Sequence, residues 1–339
     1  MFTPAKNAAP AALSQPDRYV VYGWQRSYFT HKLTAALHFH NLPWEYRDKT
    51  AKNGDELRLR SGTHQIPVLH TPENWMIADT TPLLQLLDGR NPQRRLFPAG
   101  ADGIRVQILE EYFDEWIART TVHWRWNYPE NHELLSMDAA HGDREAAEAL
   151  VTWGGKVCRA TGVSSEIQQR AAEEEYHRIM AAAEEQLART TFLLGNRPTA
   201  VDCIVLAGLR AHFLYDPAPR KALEGRYPRV LEWCREKADN WPGDGGLEDL
   251  GENAFSAFVR EEMANTYAAF AIGNRQALSK GDRAFVVPMY GEDVSYLARP
   301  YIEQSRRMIA DRIEAELDPQ AQQSLRDWLG SAALIDCFF

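Results

Sequence analysis

The chain has 339 residues, 45% hydrophobic and 25% charged, a balance that excludes global disorder and leaves room for two or three domains. Its 38 basic and 47 acidic side chains give a net charge of −9, which argues against non-specific nucleic-acid binding. No apolar run approaches the roughly 20 residues of a membrane helix, and Cys158, Cys203, Cys234 and Cys337 lack the spacing of a zinc site or a disulfide scaffold.

Residues 1–16 are rich in Ala and Pro without a continuous apolar stretch, so they read as a flexible arm with no secretory signal. Scattered, unpaired cysteines fit a reducing, cytoplasmic setting. Arg18 to Tyr22 is a β-rich run closed by Gly23. From Tyr28 to Asn41 the apolar positions recur at helical spacing until Pro43, after which Trp44 to Arg47 resumes an extended strand. A polar helix is expected over Gly54–Arg60. A hairpin follows, from Ile66–His70 to Trp75–Ile77 across the turn Pro72-Glu73-Asn74. Asp79-Thr80-Thr81-Pro82 then opens a leucine-rich helix, with proline in the first turn where its missing N–H costs nothing. The order β-α-β-α-β-β-α describes a small mixed sheet with helices packed on it.

Past Pro98-Ala99-Gly100 the pattern is helical throughout. Helices are expected over about 102–124, 143–159, 164–189, 199–215 and 228–240, with capping-box patterns at Ser165/Gln168 and Thr199/Asp202. Trp241 to Gly246 is the strongest linker signal. Beyond it are expected a helix near 253–272, a hairpin over 284–295 turning at Gly291, and a helix over 300–316.

Three motifs, in order, resemble the cytosolic glutathione transferase superfamily over residues 18–240. Ser27-Tyr28-Phe29-Thr30-His31-Lys32-Leu33 is similar to the family's S/C-x-[FY]-[SC]-x-K-V. Gln65-Ile66-Pro67-Val68-Leu69 is similar to its [KQ]-[VI]-P-x-L, whose proline is cis. Phe192 to Asp202 is similar to its [FY]-L-x-G-x-x-x-[ST]-x-A-D, the capping box of a buried helix. The resemblance implies a thioredoxin-like α+β domain over 17–97, an all-helical domain over 102–240, and an added segment over 245–339 packed on the helical domain. Common members lack that segment. They carry Glu-Ser where this chain has Asp79-Thr80, but a carboxylate and a hydroxyl at a helix start keep the same chemistry.

The resemblance further implies glutathione as co-substrate, held by Gln65, Ile66, Pro67, Val68, Asp79 and Thr80, with the Val68 backbone pairing with the cysteinyl unit. Ser27 is the candidate donor to the glutathione sulfur, with Thr30 and Tyr28 as alternates and Tyr22, Trp24 and Arg26 as neighbours that compete. Tyr112, Trp116 and Arg119 fall on the helix that borders the cleft for a small hydrophobic electrophile. An aromatic stripe at that spacing is also an ordinary core pattern. A homodimer without metal, nucleic acid or membrane is expected. His31, His38 and His40 have no partner cluster to form a metal site.

A thiol of ordinary pKa near 8.5 needs roughly 2.7 kcal/mol of thiolate stabilisation to ionise about two pH units lower. A helix N-terminus supplies up to about 1–2 kcal/mol and a hydrogen bond to a charged acceptor about 1.5–3 kcal/mol. A hydroxyl at the first helix start therefore suffices. Ser27 and Thr30 stand where redox relatives have cysteines, so disulfide exchange is disfavoured. Two alternatives stay open: a non-catalytic binding or scaffold protein of this fold, and a glutathione-dependent lyase, isomerase or dehalogenase.

Overall fold

The computed structural model describes residues 13–140 and 142–339. The expected flexible arm therefore lies outside the described residues up to residue 12. Residues 13–16 are anchored instead of free, since the Leu13 N–H donates to both carboxylate oxygens of Glu56 at 2.7 and 2.8 Å.

The first domain is built on strand β1 (Tyr19–Gly23), which is buried along its whole length. Strand alternation sends Tyr19 and Val21 to one face and Val20 and Tyr22 to the other. The second face is covered by Leu57 of helix α2 (Gly54–Ser61), and the first by α1 (Tyr28–Phe39) and α3 (Thr80–Arg90). Strand β2 (Trp44–Asp48) runs parallel to β1. On the other side β3 (Val68–His70) is antiparallel to β1, and β4 (Met76–Ala78) is antiparallel to β3. The order β2-β1-β3-β4 is a thioredoxin-like mixed sheet, and it is followed by a helical domain.

The Asp88 carboxylate fastens the turn between the domains by accepting the N–H groups of Leu96 and Phe97, each at 2.7 Å. The helical domain starts with α4 (Ala101–Glu111), which passes through a wide π turn at Tyr112–Ile117 into α5 (Ala118–Trp126). Helices α6 (Pro129–Ala139), α7 (Arg144–Ala160) and α8 (Glu166–Gln186) follow. The central helix α9 (Ala200–Gly208) is buried at every residue and packs against α1. Asp202 holds its start, accepting from Thr199 N–H at 2.7 Å and Leu193 N–H at 2.9 Å. The short helices α10 (Pro217–Leu223) and α11 (Pro228–Glu232) close the domain.

The linker at 241–246 is pinned to the loop before α9. Asn196 N–H donates to Gly246 O at 2.8 Å and Glu248 N–H to Leu194 O at 3.0 Å. Gly245 has φ +102, and a Cβ there would lie 2.1 Å from Asn196 O, so only glycine fits.

The C-terminal segment holds α12 (Ala254–Asn265), α13 (Tyr267–Lys280), the hairpin β5 (Ala284–Met289) and β6 (Glu292–Leu297), and α14 (Pro300–Glu316), α15 (Pro319–Leu329) and α16 (Ala332–Phe338). Helix α12 lies against α8 and α4, α13 carries β5, and α14 and α15 lie against α4. The single helix expected near 253–272 is broken at Thr266, which leaves helical geometry at φ −133. The hairpin turns at Tyr290 and Gly291, both with positive φ as a two-residue turn demands.

Candidate functional site

One rung of the sheet gathers the motif ends. Tyr22 pairs with Val68, and Val68 with Ala78. At this same end of the strands β1 runs out towards Ser27, the peptide Ile66–Pro67, which is cis, enters β3, and β4 leaves into Asp79.

Ser27 is the N-cap of α1, in extended geometry, and its Oγ accepts from Thr30 N–H at 3.4 Å. Because Oγ accepts in this contact, the hydroxyl proton is not used by it. The alternates are placed differently. Thr30 is buried with its side chain against Gly23, and its hydroxyl has no partner among the described residues. Tyr28 points into the core and donates to Phe113 O at 3.1 Å. Burial, reinforced by Asp114 and Glu110, holds its pKa well above the ordinary tyrosine value. Only Ser27 of the three keeps a part-exposed hydroxyl.

The loop carrying Ser27 is gripped from the helical domain. Buried Arg125 donates to Arg26 O at 2.7 Å and Ala211 O at 2.9 Å and pairs with Asp216 at 3.1 Å. Its guanidinium lies 5.4 Å from the Trp24 ring centre. No motif pointed to Arg125, because its target is a main-chain carbonyl about a hundred residues away.

Strands on both sides flank Val68, so its main chain is enclosed in the sheet. That corrects the expected ligand pairing at Val68. Ile66 lies outside the ladder and makes no main-chain hydrogen bond among the described residues. Gln65 beside it is exposed, and Pro67 is buried.

Asp79 caps α3 from a backbone conformation with φ +76, rare for a non-glycine residue. Its carboxylate and the Tyr301 side chain of α14 line one crevice. Burial raises its pKa, which Tyr301 and Lys32 pull back. Thr80, the first residue of α3, is buried beside it.

Behind this edge sits an ionic cluster that the sequence reading missed. The Lys32 ammonium, fully buried, pairs with Glu110, with Asp114 at 2.6 Å and with Thr81 Oγ1 at 2.8 Å. Burial alone would lower the Lys32 pKa, but Asp114 and Glu110 hold it above the ordinary value. Burial raises the Glu110 carboxyl near the end of α4 and the Glu115 carboxyl in the π turn that follows it. The signal was a lysine at a core-facing position of α1.

Tyr112, Trp116 and Arg119 form no open cleft here. All three donate to the buried Glu175 carboxylate, at 2.6, 2.8 and 2.5 Å. Phe270 and Tyr296 of the C-terminal segment pack on Trp116, with ring centres 5.3 and 6.2 Å away. The expected electrophile-facing stripe is core because the added segment covers it.

A family model described as the glutathione S-transferase N-terminal domain matches residues 21–95, and one described as the glutathione S-transferase C-terminal domain matches residues 114–236. Together they span more than half of the chain and stop short of the C-terminal segment. Among solved structures, a beta-etherase from Sphingobium is similar at 15% identity and TM-score 0.50, over 67% of this chain and 96% of its own. A glutathione S-transferase from Rhodospirillum rubrum shares 18% identity, TM-score 0.45, over 64% and 86%. A rice enzyme crystallised with glutathione shares 22%, TM-score 0.42, over 64% and 85%. No curated protein matches the chain. Among the described residues no helix is long and apolar enough to cross a membrane.

Proposed function

The chain belongs to the glutathione transferase superfamily, and from that premise we propose that it binds glutathione and activates its thiol for attack on a small hydrophobic electrophile. The observation that carries this reading is the rung Tyr22–Val68–Ala78, which sets Ser27, Ile66 and Asp79 beyond the strand ends on one side of the sheet.

In this reading the peptide of glutathione lies along Gln65, Ile66 and Pro67 and pairs with the Ile66 main chain. Its amino-terminal end meets Asp79 and the start of α3, where Thr80 and the free helix N–H groups receive the carboxylate. Its sulfur lies at the start of α1. The thiol releases its proton to solvent, and the Ser27 hydroxyl donates to the thiolate. A hydrogen bond of about 1.5–3 kcal/mol, with the helix N-terminus, brings the thiol pKa to near neutrality. The thiolate then forms a C–S bond to the electrophile, and a leaving group departs with the electron pair. Arg125 acts as a positioning residue for the loop.

Calorimetry with glutathione, followed by conjugation of an activated aryl halide, tests both halves. Micromolar to millimolar binding with turnover is expected, and failure to bind glutathione refutes the reading. A second reading, a binding protein without conjugation, is favoured by the filled face at Trp116. Binding without turnover of any electrophile would select it.

A further inference from the structure

The C-terminal segment does more than cover apolar surface, because one of its helices stands over the start of α3. A crevice there has Asp79, Thr81 and Asp114 on one wall and Tyr301, Gln304 and Ser305 of α14 on the other. Several of these groups are already committed. Thr81 accepts from Lys32 and donates to Glu110 at 3.2 Å, Asp114 pairs with Lys32, and Ser305 donates to Glu111. Ser305 on Glu111 and Arg312 on Gln107 fasten α14 to α4 as a fixed wall, and Tyr267 of α13 donates to the same Glu111 at 2.9 Å. What remains uncommitted at the mouth is the Asp79 carboxylate, the Tyr301 phenol oxygen and the exposed Gln304 side chain.

An ammonium group brings one positive charge and three N–H donors. The uncommitted groups of the crevice are one carboxylate and two neutral acceptors, and Lys32 in the cluster behind is already paired. We propose that α14 completes, within a single chain, the pocket for the free amino group of glutathione, with Tyr301 and Gln304 joining Asp79 as its acceptors. This rests on the glutathione-binding reading above and assigns a recognition role to a segment that the family models do not match. When the ammonium arrives, it takes the Asp79 charge while the phenol lone pairs accept from it. The part-buried carboxylate then gains a full counter-charge.

The test is calorimetry on the full chain with two ligands: glutathione, and its analogue lacking the amino group of the γ-glutamyl residue. Tyr301→Phe should weaken glutathione about tenfold, the loss of one charge-assisted hydrogen bond, and leave the analogue unchanged. Gln304→Leu, at an exposed position, should act in the same direction and guards against a folding artefact in the first variant. Equal effects on both ligands would mean that α14 acts only through packing, and would overturn the proposal. Tighter glutathione binding by Tyr301→Phe would make the phenol a competitor for Asp79, and would also overturn it. If the wild-type chain binds neither ligand, the glutathione reading itself fails and takes this inference with it.

Discussion

Replacing Ser27 by alanine should separate a structural role from a chemical one. The hydroxyl caps α1 through a contact of 3.4 Å to Thr30 N–H, which is long, so its capping worth falls near the low end of the usual range, about 0.5 kcal/mol. A donor to the thiolate is worth about 1.5–3 kcal/mol, which would raise the bound-thiol pKa by about 1–2 and slow conjugation at pH 7 by about 10–100-fold. Ser27→Gly sharpens the comparison, because glycine caps to within a few tenths of a kcal/mol of serine. It should recover the stability of the alanine variant but not its rate. The assay is a pH–rate profile of aryl halide conjugation for all three proteins, beside denaturant unfolding. The limb that reports thiol ionisation should move to higher pH in both variants by the same amount. An alanine profile that overlays the wild type would refute the reasoning. Since Thr30 and Tyr28 are enclosed, the role would then fall to the main-chain N–H groups at the start of α1.

Asp79→Asn keeps the side-chain shape and suits the positive φ better than alanine would. It should weaken glutathione by about 1–3 kcal/mol in calorimetry, and unchanged affinity would count against the placement. Lys32→Met strands Glu110 and Asp114 without their cation and should cost about 3–5 kcal/mol in denaturant unfolding at pH 7. A loss below about 1 kcal/mol would show that the cluster is not a bound unit. Glu115 has its carboxyl pushed from the ordinary 4.5 up to about 7, chiefly by burial. A folded pKa above the unfolded one gives stability that is complete below about pH 4.5 and lost as pH rises through about 7. Glu115→Gln should therefore stabilise the protein by about 1–3 kcal/mol at pH 8 and change little at pH 4. Equal shifts in melting temperature at both pH values would refute that sign.

Local chemistry made the first domain readable. Val20 and Val21 alternate between two buried faces, Ser27 starts a helix, and Thr199 with Asp202 caps α9, so each signal lies within a few residues of what it specifies. Helices α6 and α10 went unread because Pro129 and Pro217, at their first positions, look like breaks in a bare sequence. The site divides along the same line. Ser27, Ile66 and Asp79 stand at element ends that the sequence marks, and strand register alone brings them together. The residues that surround them come from far along the chain: Arg125 onto the carbonyl of Arg26, Tyr301 into the crevice beside Asp79, and Glu110 and Asp114 onto Lys32. No periodicity encodes such pairings. The aromatic stripe at Tyr112 and Trp116 shows the limit most clearly. Its spacing is equally that of a cleft wall and of a core, and what decides between them is Phe270 and Tyr296, more than 150 residues downstream. In the proposed reading, a segment that fills one face while its next helix walls the start of α3 moves the recognition surface from Trp116 towards Asp79. The divergence of this chain is thus expected in what its site admits at the amino end of the peptide, more than in how its thiol is activated.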